Sequence, residues 1–236
     1  MKLTVRDVAT LLNVSEKTIY RWIQSKKLPA FKVNEQYRFN RAELLEWVTS
    51  QRINVSADIF ADPSQDRRAI PSLAEAIKAG GIHYRVGGSD KDAVMRAAVE
   101  TMPLPEEVDR GFLLKVLLAR ESLGSTGIGD GIAIPHVRNP IVMHIPQPMI
   151  TLCFLERSID FEALDGKPVN TLFMMVSPTI TAHLNLLSKL AHALRQPDFA
   201  GVIAGQGSRE QILEKAARID KSVVQNAAAP EGDAKS

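Results

Sequence analysis

The run Gly127-Ile128-Gly129-Asp130-Gly131-Ile132-Ala133-Ile134-Pro135-His136 limits what this chain can fold into more than any other stretch. Glycines so closely spaced admit backbone conformations closed to other residues, and their bare backbone lets a second segment approach closely. Pro135 fixes its own φ and withholds an N–H, so it holds the histidine that follows in place. The segment therefore offers an imidazole to a partner from a tightly bent support.

A chain of 236 residues suggests one or two domains, on a prior of roughly 100–200 residues each. Hydrophobic residues make up 45% and charged residues 24%, the composition of a globular protein able to bury a core. The N-terminus has no apolar signal core, and no apolar run approaches the ~18 residues of a membrane span. No membrane insertion and a cytoplasmic location are expected. The single Cys153 lies in the apolar run Met149 to Leu155 and reads as a buried structural thiol. The net charge of +2 hides an asymmetry: residues 1–53 carry ten Lys/Arg against five Asp/Glu, the remainder nineteen against twenty-two. A basic unit on a mildly acidic body suggests two partners of different kinds.

The chain divides into a compact unit over residues 1–52, a linker over 53–70, a second domain over 71–220 and a disordered tail over 221–236. In the second domain Ser89-Asp90-Lys91-Asp92 begins one helix, and Glu106 to Glu121 forms another. Met149 to Leu155 and Asn170 to Val176 read as strands; His183 to Leu194 and Ser208 to Ile219 read as helices. Strands mixed with covering helices predict an α/β sandwich with a mixed, mostly buried central sheet.

In the basic unit, Thr4 with Asp7 caps a first helix from Val5 to Leu12, and Ser15 caps a second from Glu16 to about Gln24. Ala9 is small enough for a close helix crossing, Asn13 tolerates a left-handed turn, and Val8, Leu12, Val14, Ile19 and Ile23 close a small core. This is the helix-turn-helix pattern. Ala30 to Val33 and Tyr37 to Phe39 add two short strands around Asn34-Glu35-Gln36, a wing, and Asn40 with Glu43 caps a helix carrying Leu44, Leu45, Trp47 and Val48. Over residues 3–49 the segment resembles the excisionase/MerR-like winged helix-turn-helix family, except at the wing tip, where that family often has glycines. Lys17, Thr18, Tyr20 and Arg21 are the solvent-facing DNA-binding candidates on the second helix, with Lys17, Thr18 or Arg21 placed for base edges and Lys26, Lys27, Lys32 and Arg38 within reach of phosphates. DNA is the expected partner and a homodimer the expected state if binding is specific; a solvated charged face on a protein-interaction module is the alternative.

Three readings compete for Gly124 to His136. A phosphate-cradling P-loop needs Lys-Ser or Lys-Thr after its glycines, which are missing here. A metal site needs more ligands than His136 and His144 supply. A structural glycine turn is the third. The stretch from Leu123 to His136 is similar to the active-site motif of enzyme IIA domains of the phosphoenolpyruvate–sugar phosphotransferase system, in the fructose/mannitol/nitrogen class. The resemblance includes Arg120 and the segment Thr181 to Leu190, and spans roughly residues 72–219. It implies that His136 is the residue phosphorylated by the phosphocarrier HPr or a nitrogen-type paralogue, His183 the supporting histidine, and Arg120 the cation beside the phosphoryl group. The simpler alternatives are a satisfied histidine at a helix end for His183 and a helix C-terminal charge for Arg120. His83, His144 and His192 match no motif, and Leu172 to Val176 is core.

The combination points to a regulator that senses the phosphotransferase relay at a histidine and acts on DNA, with no cofactor and no metal. The alternative is a phosphocarrier passing phosphate from HPr to an enzyme IIB during sugar uptake.

Overall fold

The computed structural model describes residues 2–25, 27–33, 35–40, 43–44, 47–48, 71–137 and 145–228. The linker at 53–70, the chain beyond residue 228, and Lys26, Leu45 and His144 lie outside the described residues.

Strand β1 (Lys2–Thr4) runs straight into helix α1 (Val5–Leu11). Thr4 and Asp7 form the expected capping box: the Thr4 hydroxyl accepts from the Asp7 N–H, and the Thr4 N–H donates to the Asp7 carboxylate at 2.8 Å. Asn13, at φ 51°, turns the chain into helix α2 (Glu16–Gln24), capped by Ser15. Strands β2 (Phe31–Val33) and β3 (Gln36–Asn40) form the wing hairpin, with Glu35 in the left-handed region at its tip. β1 pairs antiparallel with β3, giving a three-stranded sheet in the order β1-β3-β2. The sequence reading missed β1, which is too short to show a period. Ile19, Val8, Leu12, Phe39, Leu44 and Val48 are buried together, while Val14 and Ile23 pack at the edge of that core.

The second unit contains helix α3 (Leu73–Gly80), strand β4 (Ile82–Val86), helices α4 (Lys91–Thr101) and α5 (Arg110–Glu121), and strands β5 (Gly127–Gly129) and β6 (Ile132–Ala133). Strands β7 (Met149–Ile159) and β8 (Val169–Val176) and helices α6 (Ile180–Leu194), α7 (Pro197–Ala204) and α8 (Arg209–Ala228) follow. The sheet order is β4-β7-β8-β6-β5. β4 with β7 and β6 with β8 are parallel; β7 with β8 and β5 with β6 are antiparallel.

Both faces of this mixed sheet are covered. Along β7, Met149, Cys153 and Leu155 pack with α4 and α5, while Ile150, Leu152 and Phe154 pack with α3, α6, α7 and α8. Side chains that alternate across a strand thus feed two apolar layers, which explains why β7 and β8 read as unbroken hydrophobic runs. Cys153 is buried, and desolvation pushes its thiol pKa up to about 11.

Several boundaries differ from expectation. α5 starts at Arg110 rather than Glu106, because Asp109 caps it by accepting from the Phe112 N–H. α6 starts at Ile180 with Thr179 as its cap, and α8 continues to Ala228, so residues 221–228 are helical rather than tail. No helix among the described residues is long and apolar enough to cross a membrane.

Candidate functional site

The site lies where two parallel segments end. β6 pairs in parallel with β8, and the chain continues alongside it to an isolated bridge between His136 and Met175. Pro135 has no N–H to give the ladder, but its carbonyl accepts from the Met175 N–H at 2.9 Å. β8 then passes through Ser177 and Pro178 into α6, whose first turn ends at His183. His136 and His183 therefore meet at the carboxyl end of β8, with ring centroids 5.2 Å apart and planes inclined by 39°. Both are buried, at 4% and 2% exposure.

The His136 Nδ1 lies 2.7 Å from the carbonyl oxygen of Ile134. A carbonyl can only accept, so in the neutral ring Nδ1 carries the proton and Nε2 carries the lone pair. That tautomer makes Nε2 the nucleophilic atom, and the hydrogen bond holds the ring's orientation. Thr179, which accepts from the Ala182 N–H, starts α6 one turn before His183 and leaves that ring near the helix's positive end.

The glycine stretch, read from sequence as a loop, is a hairpin. Asp130 and Gly131 occupy φ 52° and 75°, the left-handed pair that a two-residue hairpin turn requires, and Asp-Gly was its signal. Gly127 is needed for close approach: a Cβ there would lie 2.7 Å from the Ala163 Cβ. The hairpin is anchored by a residue the sequence reading did not single out. Glu121, 5% exposed, accepts from the Thr126 N–H at 3.1 Å and from its hydroxyl at 2.6 Å, and the Thr126 carbonyl accepts from the Ile134 N–H. Lys91 stands 3.5 Å from Glu121 and 2.8 Å from Glu162. Burial works against the Lys91 charge, but the two carboxylates outweigh it and hold its pKa above the ordinary lysine value.

Arg120 lies in the last turn of α5, where its Nη1 donates to the Gly124 carbonyl at 2.9 Å, so it braces the loop leading to Thr126. Ser177 was also not anticipated. It is fully buried, and its Oγ has no hydrogen-bond partner among the described residues. His83 and His192 are half-buried elsewhere, and desolvation lowers the pKa of each.

In the first unit, Lys17, Tyr20 and Arg21 are exposed on α2. Thr18 is partly covered and turned inward to its helix cap: its hydroxyl lies 3.0 Å from the Ser15 hydroxyl. On the wing, Lys32 pairs with Glu35 at 3.5 Å and sits 5.5 Å from the Tyr37 ring centroid, while Arg38 donates to the Tyr37 carbonyl and the Gln36 side chain. Tyr20 packs edge-on against Tyr37, joining helix to wing.

Comparison with known proteins agrees with this geometry. The family described as "Phosphoenolpyruvate-dependent sugar phosphotransferase system, EIIA 2" matches residues 75–217, and a helix-turn-helix domain family matches residues 3–52. The chain is 40% identical over 131 residues to the nitrogen regulatory protein of Pseudomonas aeruginosa, covering 54% of this chain and 82% of that one. It is 28% identical over 152 residues to the phosphotransferase-system fructose-specific EIIABC component of Bacillus subtilis, covering 63% of this chain and 24% of that one. The crystal structure of nitrogen regulatory protein IIA-Ntr from Neisseria meningitidis is similar with a TM-score of 0.53 and 28% identity, covering 61% of this chain and 98% of that one. A buried histidine pair where the hairpin segment meets a helix, within this fold and this sequence match, places the chain in the EIIA 2 family of phosphoenolpyruvate-dependent sugar phosphotransferase systems, with a helix-turn-helix domain ahead of it.

Proposed function

We propose that His136 accepts a phosphoryl group from HPr or a nitrogen-type paralogue, and that the helix-turn-helix domain binds DNA and makes the protein a regulator linked to that relay. The observation that carries the reading is the His136–Ile134 hydrogen bond beside a buried second imidazole. Nε2 attacks phosphorus, the bond from phosphorus to the donor breaks, and its electron pair stays with the donor. The Nδ1 proton remains on the ring, where the Ile134 carbonyl stabilises the positive charge that develops.

Phosphoryl transfer asks for alignment and charge stabilisation more than covalent help. His183, in the first turn of α6, serves as a hydrogen-bond donor to a phosphoryl oxygen. Arg120, which donates to the Gly124 carbonyl, brings to the site a planar guanidinium whose geometry suits phosphate oxygens. Lys17, Tyr20 and Arg21 form the DNA-facing side of α2, with Thr18 beside them and Lys32 and Arg38 on the wing. Phosphorylation adds about −1.5 to −2 charges at the histidine, enough to alter docking to a partner or another part of the chain.

Incubation with phosphoenolpyruvate, enzyme I and HPr or its nitrogen-type paralogue, followed by intact mass measurement, tests the acceptor role. One acid-labile phosphoryl group is expected, absent in His136→Ala. No mass increase with either carrier, or an increase that survives the substitution, overturns it.

A further inference from the structure

Ser177 joins β8 to α6 and is fully buried, yet its Oγ has no hydrogen-bond partner among the described residues. Such a hydroxyl costs free energy, because it has left water without finding a replacement. The residues before it, Met174, Met175 and Val176, are buried and apolar, so an alanine would pack here without that cost. The local chain withholds the usual remedies. Pro178 has no N–H to offer, and the Thr179 hydroxyl accepts from the Ala182 N–H as the cap of α6.

The direction of the hydroxyl follows from the strand. Side chains alternate along β8: Leu172, Met174 and Val176 enter the layer with α4 and α5, while Phe173 and Met175 enter the layer with α6. The residue before a proline is pushed toward extended backbone, so the alternation carries on and Ser177 faces the α6 layer. His136 lies on that face too. It bridges Met175 in parallel, and its ring centroid stands 5.2 Å from that of His183 on α6. Ser177 is the next side chain on this face beyond Met175, about 6.6 Å along at two residues' rise. That step leads toward the end of β8 where the two histidines meet.

α6 begins three residues after Ser177. Its cap takes the Ala182 N–H, while the Ile180 and Thr181 N–H groups, at the first two helical positions, have no acceptor within the helix. A helix N-terminus favours an anion, and Ser177 sets beside it a buried donor without a partner.

We infer that the Ser177 hydroxyl completes a site for phosphate oxygens beside His136, donating to one oxygen of the phosphoryl group that His136 carries. This role rests on His136 being the acceptor, as proposed above. A donor fixed in place before the charge arrives needs no rearrangement to meet it.

Inorganic phosphate is the probe, titrated calorimetrically into the full chain and into Ser177→Ala at constant ionic strength. The wild-type chain is expected to bind it saturably, and Ser177→Ala at least about tenfold more weakly, the loss of a hydrogen bond to a charged group. In urea, Ser177→Ala is expected to be no less stable than wild type. A merely structural hydroxyl would not combine these two results. With a limiting amount of phosphorylated HPr or its nitrogen-type paralogue, the transfer equilibrium of Ser177→Ala shifts about tenfold toward the carrier. No saturable phosphate binding by wild type at about 50 mM, well above a millimolar Kd, overturns the site. So does equal binding in Ser177→Ala, or a Ser177→Ala chain that unfolds at lower urea. Phosphate binding that needs Ser177, in a chain that neither carrier phosphorylates, supports the phosphate site and removes the acceptor role of His136. Phosphorylation of His136 with equal phosphate binding in both chains does the reverse.

Discussion

At the scale of single residues, Glu121 links the stability of the fold to the placement of His136. Its carboxylate takes both donors of Thr126, and the Thr126 carbonyl in turn holds Ile134, whose own carbonyl orients the His136 ring. Glu121→Ala leaves a buried N–H unsatisfied and is expected to cost about 2–3 kcal/mol, with Glu121→Gln less harmful because its amide oxygen still accepts. Urea unfolding of the two variants checks the order. Ser177 should behave in the opposite way. Its buried hydroxyl has no partner among the described residues, so Ser177→Ala is expected to be neutral or stabilising in the same assay. The roles of these two residues were not legible in the sequence, because Glu121 reads there as the end of one helix and Ser177, with Pro178, as the approach to another, the helix around His183. The candidate histidine was legible, since glycines and a proline crowd it from one side and constrain the backbone locally.

Among the secondary-structure elements, the caps decided the boundaries more reliably than apolar periodicity did. Thr4, Ser15 and Asp90 begin helices where their side chains predicted, whereas the helix expected from Glu106 begins only where Asp109 can satisfy an N–H. α3 was missed although Ser72 and Glu75 form a full capping box. The Ser72 backbone N–H, then its hydroxyl, hold the Glu75 carboxyl below the ordinary carboxylate range. A depressed folded-state pKa contributes stability above the unfolded value that is lost as pH falls through the folded one. Stability of the full chain should therefore drop on acidification below about pH 4.3, and Glu75→Gln should make that drop shallower. Chemical denaturation between neutral pH and pH 3 measures both, and equal slopes would refute the assignment. Thr179→Ala removes the cap of the helix that bears His183 and should cost about 1 kcal/mol, read from the same unfolding curves.

For the whole molecule, a basic helix-turn-helix unit and a histidine-bearing α/β unit lie on one chain, and the regulator reading requires them to communicate. DNA affinity measured before and after phosphorylation tests this, since linkage demands a difference in binding free energy; equal affinities would refute the switch. The DNA face makes a separate prediction. Lys17→Ala should weaken binding about equally across sequences and lower the salt slope by about 1 if it touches a phosphate, whereas Arg21→Ala should relax discrimination at one position if it touches a base. Titrations against specific and scrambled duplexes at several salt concentrations distinguish the two.

The sequence by itself determined the features that act through neighbours along the chain. Those are the left-handed Asn13, the capping residues, the apolar strands buried on both faces and the glycine-proline setting of His136, because sterics and local hydrogen bonds operate over a few residues. Only the tertiary structure decided the rest. β6 lies parallel to β8, so His136 meets a histidine from the next helix; β1 pairs with β3, closing the wing; and Glu121 turns inward to Thr126. Each is a pairing between segments distant in sequence or a choice of side-chain direction, settled by which arrangement buries apolar surface while satisfying the backbone. No local pattern carries that information.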